Sequence, residues 1–166
     1  MASTVAVFLH GLDSSIHGTK GSWFTRHFPL VAMWNYQGSL AERLTQLEKQ
    51  VNGARQLILV GSSFGGLMAA CYAVRHPRQC RRLILLAPAL NFSKYQPPEK
   101  PLTMETLMII GKNDTVCPPE LVLPLARATF SNLQVQIEDD DHLLQQVFPQ
   151  LPWAELLTIS EKLSER

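Results

Sequence analysis

Four consecutive apolar residues, Leu57 to Val60, run into Gly61-Ser62-Ser63-Phe64-Gly65 and then Gly66. An apolar run bounded by glycine reads as a buried strand, and Leu67 to Arg75 beyond it reads as a helix. The chain between them has room only for a sharp turn, which fits the G-x-S-x-G nucleophile elbow with Ser63 at its centre. Such a turn strains the serine backbone and lifts Oγ clear of the sheet. Strand and helix nearly collide there, so the residues two before and two after the serine must be small. Gly61 and Gly65, having no Cβ, meet that demand. A Gly/Ser-rich loop is the plainer reading of the pentapeptide alone, and the flanking strand and helix favour the elbow.

The rest of the chain alternates in the same way. Thr4 to Leu9, Leu30 to Trp34, Leu83 to Leu86, Thr106 to Ile110 and Leu133 to Ile137 read as further strands. Gly18 to His27 reads as a short helix. Ser39 and Glu42 have the spacing of a capping box, and Leu40, Leu44, Leu47 and Val51 then recur at helical spacing. Asn52-Gly53 is expected to end that helix in the left-handed conformation, and His76-Pro77 to stop the elbow helix. Pro118 and Pro119 suit a first helical turn, with Leu121, Val122, Leu125 and Ala126 on one face. Residues 88–101 read as an irregular crossover with one helical turn around Phe92 to Tyr95. The tail reads as helical, broken at Pro149 and Pro152, with Trp153, Leu156, Leu157 and Leu163 on its apolar side. Alternation of this kind predicts an α/β fold, a largely parallel sheet with helices on both faces. Residues 1–166 are expected to form one domain.

Ligands of such sheets bind at the carboxyl ends of the strands. A serine hydroxyl needs a base to take its proton, and the base needs an acid to orient it. Asp114 follows the 106–110 strand in Gly-Lys-Asn-Asp-Thr-Val-Cys-Pro, and His142 follows the 133–137 strand in Asp-Asp-Asp-His. The order Ser63, Asp114, His142 is one of the known triad orders. Asp139, Asp140 and Asp141 read as a solvated acidic turn and are weaker candidates for the acid. His17, His27 and His76 do not follow strands in the right order. A tetrahedral intermediate also needs oxyanion donors. The Phe64 N–H, next to the nucleophile, and the Leu12 N–H, in the loop after the first strand, are the candidates. His10 and Gly11 beside it are candidate substrate contacts.

A net charge of +1 with no basic stripe argues against nucleic acid as a partner. No apolar run reaches transmembrane length and no signal-peptide pattern opens the chain, so neither membrane association nor export is expected. The three cysteines, Cys71, Cys80 and Cys117, lack metal-ligand spacing. Their odd, sparse count fits a reducing cytoplasm.

The HG loop, GSSFGG, GKNDTVCP and DDDH together resemble the α/β-hydrolase superfamily over nearly the whole chain. HGLDSS with GSSFGG is most similar to the small, lid-poor bacterial esterases called YqiA-like. The resemblance implies a Ser63–His142–Asp114 triad, no metal, no organic cofactor and hydrolysis by acyl transfer from a small-molecule ester. Serine at the elbow disfavours the haloalkane dehalogenases, which place Asp there. Counted from the strand feeding the oxyanion loop, the six-stranded sheet should run 2-1-3-4-5-6. Only residues 87–105 are available where a cap domain usually enters, so none is expected, and the site should be an open shelf walled by Leu12, Phe64, Leu90, Phe92 and Leu143. The expected activity is that of a serine esterase for small or short-chain acyl groups. A thioesterase would use the same residues, and a non-catalytic binding protein could share the fold. The sequence leaves open the oligomeric state, and whether Phe92 and Tyr95 form a site wall or an interface.

Overall fold

A computed structural model describes residues 4–92 and 94–160. Six parallel strands form one sheet: β1 (Thr4–Leu9), β2 (Ala32–Met33), β3 (Gln56–Ser62), β4 (Cys80–Leu86), β5 (Glu105–Gly111) and β6 (Leu133–Glu138). They lie in the order β2-β1-β3-β4-β5-β6, as expected. Helices α1 (Thr19–His27), α2 (Leu40–Gln50), α3 (Phe64–Arg75), α4 (Pro119–Thr129) and α5 (Trp153–Leu156) connect or follow them.

Side chains alternate across a strand, and the central strands here carry apolar runs at their middles, Leu57 to Val60, Leu83 to Leu86 and Leu107 to Ile110. Each therefore feeds two cores. Leu57, Leu59, Leu83, Leu85, Met108 and Ile110 face α2, α3 and α4. Ile58, Val60, Ile84, Leu86, Leu107 and Ile109 face α1 and the C-terminal segment. That second core is closed by aromatics, with Phe24 and Trp153 in edge contact at 4.9 Å between ring centroids. At the sheet edge, β6 is only partly buried.

Several local expectations need correction. β2 shrinks to two residues. After Pro29 a turn closed by the Val31 N–H on Phe28 O delays entry into the sheet, leaving Leu30 outside it and exposed. The capping box on α2 forms as expected, Ser39 Oγ accepting from the Glu42 N–H and Glu42 Oε2 from the Ser39 N–H. At the other end neither Asn52 nor Gly53 is left-handed. The Val51 N–H bonds to Leu47 O, and the Ala54 N–H closes the next turn on Val51 O. Leu121 is exposed, because the buried stripe of α4 runs through Val122, Ala126 and Thr129 at spacings of four and three. Pro124 sits inside α4 and removes one helical hydrogen bond. Leu163 lies outside the described residues.

Residues 87–104 cross directly from β4 to β5, so no cap domain is inserted there. The crossover is irregular, and the Tyr95 N–H bonds to Phe92 O. Among the described residues no helix is long and apolar enough to cross a membrane.

Candidate active site

The turn from β3 to α3 sets Ser63 at φ 54°, ψ −115°, a region that costs a non-glycine residue of order 1–3 kcal/mol. The surroundings hold it there. The Ser63 N–H donates to Leu86 O, and Ser63 O accepts from the N–H groups of Gly66, Leu67 and Ala89. A Cβ on Gly65 would lie 2.8 Å from His10 O and closer still to the Leu9 carbonyl. One on Gly61 would press into the Gly65 carbonyl, and one on Gly66 would sit 2.7 Å from Pro88 Cβ. Only glycine fits at these three positions.

Two further loops bring side chains to the serine. Asp114, after β5, is buried. Its Oδ1 accepts the N–H groups of Val116 at 2.9 Å and Cys117 at 2.7 Å. Its Oδ2 lies 2.8 Å from His142 Nδ1, and His142 Nε2 lies 3.0 Å from Ser63 Oγ. An ionised carboxylate only accepts, so the proton belongs on Nδ1, which leaves Nε2 free to accept from the serine hydroxyl. The loops carrying Asp114 and His142 are stitched together by the Lys112 N–H on Glu138 O and the Asn113 N–H on Asp140 O.

The acidic turn before His142 differs from a uniformly solvated one. Asp139 is exposed and pairs with Lys112 at 3.1 Å, but Asp140 is buried. The Asp140 carboxylate accepts the N–H groups of Asp141, Gln146 and Val147 and folds the loop back on itself. Lys20, on α1, donates to Leu143 O at 2.6 Å and braces the same loop. His76 bonds to Glu48 and His27 stacks on Trp23, both away from the serine.

The loop after β1 lies against the elbow, and a Cβ on Gly11 would be 3.7 Å from Ser63 Cβ. His10 is buried and turns inward, so it does not line the cleft as expected of a substrate contact. Its Nε2 accepts the Tyr36 N–H at 2.9 Å, and the proton therefore sits on Nδ1, which donates to Gly11 O at 2.7 Å. Burial pushes the His10 pKa down, which favours this neutral form. Gly11 C=O and Leu12 N–H belong to one planar trans peptide and point in opposite directions. Anchoring the carbonyl on His10 thus aims the Leu12 N–H the other way.

The cleft over Ser63 has a volume of about 730 Å³, and Gly11, Leu12, Phe64, Phe92, His142 and Leu143 are among its walls. Leu90 is not among them. It is fully buried in the core shared with α3, because the Leu90 N–H turns back to Pro88 O and draws the side chain under the crossover. Sequence reasoning missed Lys20 and Asn91, which also border the cleft. Asn91 donates to Val116 O at 3.1 Å, a pairing between separate loops that leaves no local sequence signal. A second groove of about 790 Å³ shares Leu12, Phe64 and Phe92 with the cleft and continues past Leu40, Leu44, Val74 and Tyr95. The Phe64 and Phe92 rings meet edge-on at 6.0 Å where the two join.

Cys117 also borders the cleft. Burial, and then the Asp114 charge, push its thiol up to about 12, so it is protonated at neutral pH and a poor nucleophile. Asp114, Cys117 and His142 bring possible metal-ligand atoms within 4.8 Å of one another. The Asp114 oxygens are already engaged by two N–H groups and the imidazole, and the sulfur is a thiol. This donor set fits a hydrogen-bonded relay better than a metal centre.

Comparison with known proteins agrees with this architecture. No curated protein gives a significant sequence match. The chain resembles Est1E from Butyrivibrio proteoclasticus, solved with ferulic acid bound (TM-score 0.72, 15% identity, covering 93% of this chain and 87% of that one). It also resembles the esterase EaEST from Exiguobacterium antarcticum (0.70, 14%, 90% and 88%) and a monoacylglycerol lipase from Paleococcus ferrophilus (0.71, 14%, 91% of each). At such identities the likeness concerns the fold. The sequence profile of the alpha/beta hydrolase fold matches residues 13–103, more than half of the chain. With the sheet order, the strained serine turn and the residues gathered around it, this match means that the chain belongs to the alpha/beta hydrolase fold family.

Proposed function

We propose that this protein is a serine esterase that hydrolyses small or short-chain carboxylic esters through an acyl-enzyme. The observation that carries the reading is the unbroken relay from Asp114 through His142 to Ser63, with 2.8 and 3.0 Å steps, opening on one cleft. His142 Nε2 takes the Ser63 proton as Oγ attacks the acyl carbon. The N–H groups of Phe64 and Leu12 receive the charge that develops on the carbonyl oxygen. His142 then returns the proton to the departing alkoxide, and water repeats the sequence to free the acid and restore Ser63. Asp114 keeps the proton on Nδ1 and stabilises the imidazolium. The cleft is open to solvent above, which supports weak discrimination among small acyl groups, since each methylene in an apolar pocket is worth only roughly 1–3 kcal/mol. Cys71, Cys80 and Cys117 are all unpaired, which supports work in the reducing cytoplasm.

A fluorophosphonate probe tests the reading. Covalent labelling of the wild type and none of Ser63→Ala is expected, with p-nitrophenyl acetate hydrolysed only by the former. A folded wild type that takes up no label would refute it. Matched ester and thioester substrates separate an esterase from a thioesterase.

A further inference from the structure

Arg43 is a buried cation in an unusual place. It lies on α2 and is only 5% exposed, yet among the described residues no carboxylate pairs with it within 4.0 Å. Its contacts go elsewhere. Nε donates to Gly38 O at 3.1 Å, and Nη2 donates to Leu12 O at 3.2 Å. The guanidinium carbon sits 5.2 Å from the centre of the Phe64 ring, within cation–π range. Nη1 has no partner.

Asp13 is near enough to ease the burial by its charge but makes no ion pair, and burying an arginine without a contacting counter-charge is costly. A plain strut between α2 and the loop after β1 could be built from neutral groups. Beyond its own helix start, the hydrogen bond and the ring contact of Arg43 go to the two residues whose N–H groups would receive the oxyanion. We propose that Arg43 is a positioning residue for the oxyanion cradle, fastening Leu12 through its carbonyl and Phe64 through its ring so that their N–H groups converge. This rests on the serine esterase reading. The Leu12 peptide is thereby held from both ends, by His10 at Gly11 O and by Arg43 at Leu12 O. Arg43 joins that loop to the elbow. Its buried positive charge also gains when negative charge develops beside Leu12 and Phe64, an interaction stronger in the transition state than in the ground state.

The test is steady-state kinetics of Arg43→Met, which keeps length and loses both the fork and the charge, and of Arg43→Lys, which keeps the charge alone. Rates are referred to active sites titrated with the fluorophosphonate. Removing one oxyanion donor outright costs about 10²–10³ in kcat, so loosening both should cost Arg43→Met roughly 10–100-fold in kcat with KM little changed. A trifluoromethyl ketone, which forms a tetrahedral adduct on Ser63, should lose affinity by the same factor as kcat/KM, while product carboxylate binds as before. Arg43→Lys should recover only part of the rate, and ethylguanidinium should partly rescue Arg43→Ala. A folded Arg43→Met with wild-type kcat overturns the proposal, whatever its melting temperature. Should Arg43→Met fail to fold, wild-type kcat in Arg43→Lys overturns it equally. A wild type that neither labels nor hydrolyses any ester overturns the esterase reading and this proposal together; an active wild type with unimpaired Arg43 variants overturns this proposal alone.

Discussion

Gly65→Ala is the substitution that most directly couples fold to activity. The added Cβ would stand 2.5 Å from Leu9 C and 2.8 Å from His10 O. Ordinary contact begins at 3.4 Å, so His10 O alone must retreat by 3.4 − 2.8, about 0.6 Å, and Leu9 by more. The obstacles are backbone atoms at and just past the end of β1, where Leu9 is paired with Gly61 of β3, so no side-chain rotation relieves them. Overpacking of this kind costs typically 1–3 kcal/mol, and the rigid neighbours place Gly65→Ala at the upper end, about 2–3 kcal/mol. Whatever displacement does occur moves His10 and hence the Leu12 N–H. A 1 Å misplacement can cost about 10²-fold in rate. Gly53→Ala is the control. Nothing lies within 4 Å of its Cβ and its φ is not positive, so it should stabilise the protein by about 0.4–1 kcal/mol through the unfolded chain. Urea unfolding of both variants, with p-nitrophenyl acetate turnover measured in the folded range, gives the comparison. A Gly65→Ala enzyme as stable and as active as Gly53→Ala would refute the claim that the elbow and the oxyanion loop are packed to contact.

Other expected outcomes follow from the same geometry. Asp114→Asn keeps the acceptor for the Val116 and Cys117 N–H groups but turns an NH2 toward His142, and should cost about 10⁴ in kcat with an unchanged fold by circular dichroism; comparable damage from Asp141→Asn instead would move the acid elsewhere. The buried Cys80 thiol is pushed from 9.0 up to about 12. The native state holds its proton where the unfolded chain has lost it, so stability is intact below pH 9 and falls as pH rises toward 12, by up to about 1.4 kcal/mol per pH unit. Melting temperatures of Cys80→Ala should decline less steeply than wild type over that window, and parallel slopes would contradict the shift. Val74→Trp fills the second groove and should lower octanoate against acetate ester turnover if longer acyl chains extend past Phe92; an unchanged ratio would confine substrates to the first cleft.

Much of the fold was legible because its signals are local. Apolar runs such as Leu57 to Val60 admit few readings, and their alternation with helices dictates a parallel sheet. The Ser63, Asp114, His142 order was legible because each residue follows a strand, and strand ends in a parallel sheet converge on one edge. What escaped depends on where a side chain turns after the strand ends. His10 and Leu12 are two residues apart in one loop, yet one is sealed inside and the other faces the cleft, a choice made by the Tyr36 N–H from a distant segment. Asp140 looks no different from its neighbours until three N–H groups close on it. Leu90 reads as a wall residue until one backbone bond draws it into the core. Leu121 was misplaced for a simpler reason, since it is one helical step from a stripe only three residues long.

The sheet also acts as a ruler that the histidine loop must overcome. Neighbouring strands stand about 4.8 Å apart, so the ends of β3 and β6 are separated by roughly 14 Å. The His142 imidazole nonetheless reaches within 3.0 Å of Ser63 Oγ. The gap is bridged by residues 139–147, a cantilever anchored at the Asp140 carboxylate, bent at Leu144 with φ 51° and stayed from the side by Lys20. The separation of the His142 imidazole from Ser63 is governed at the root of the arm, by the Asp140 carboxylate and the N–H groups it holds, outside the cleft.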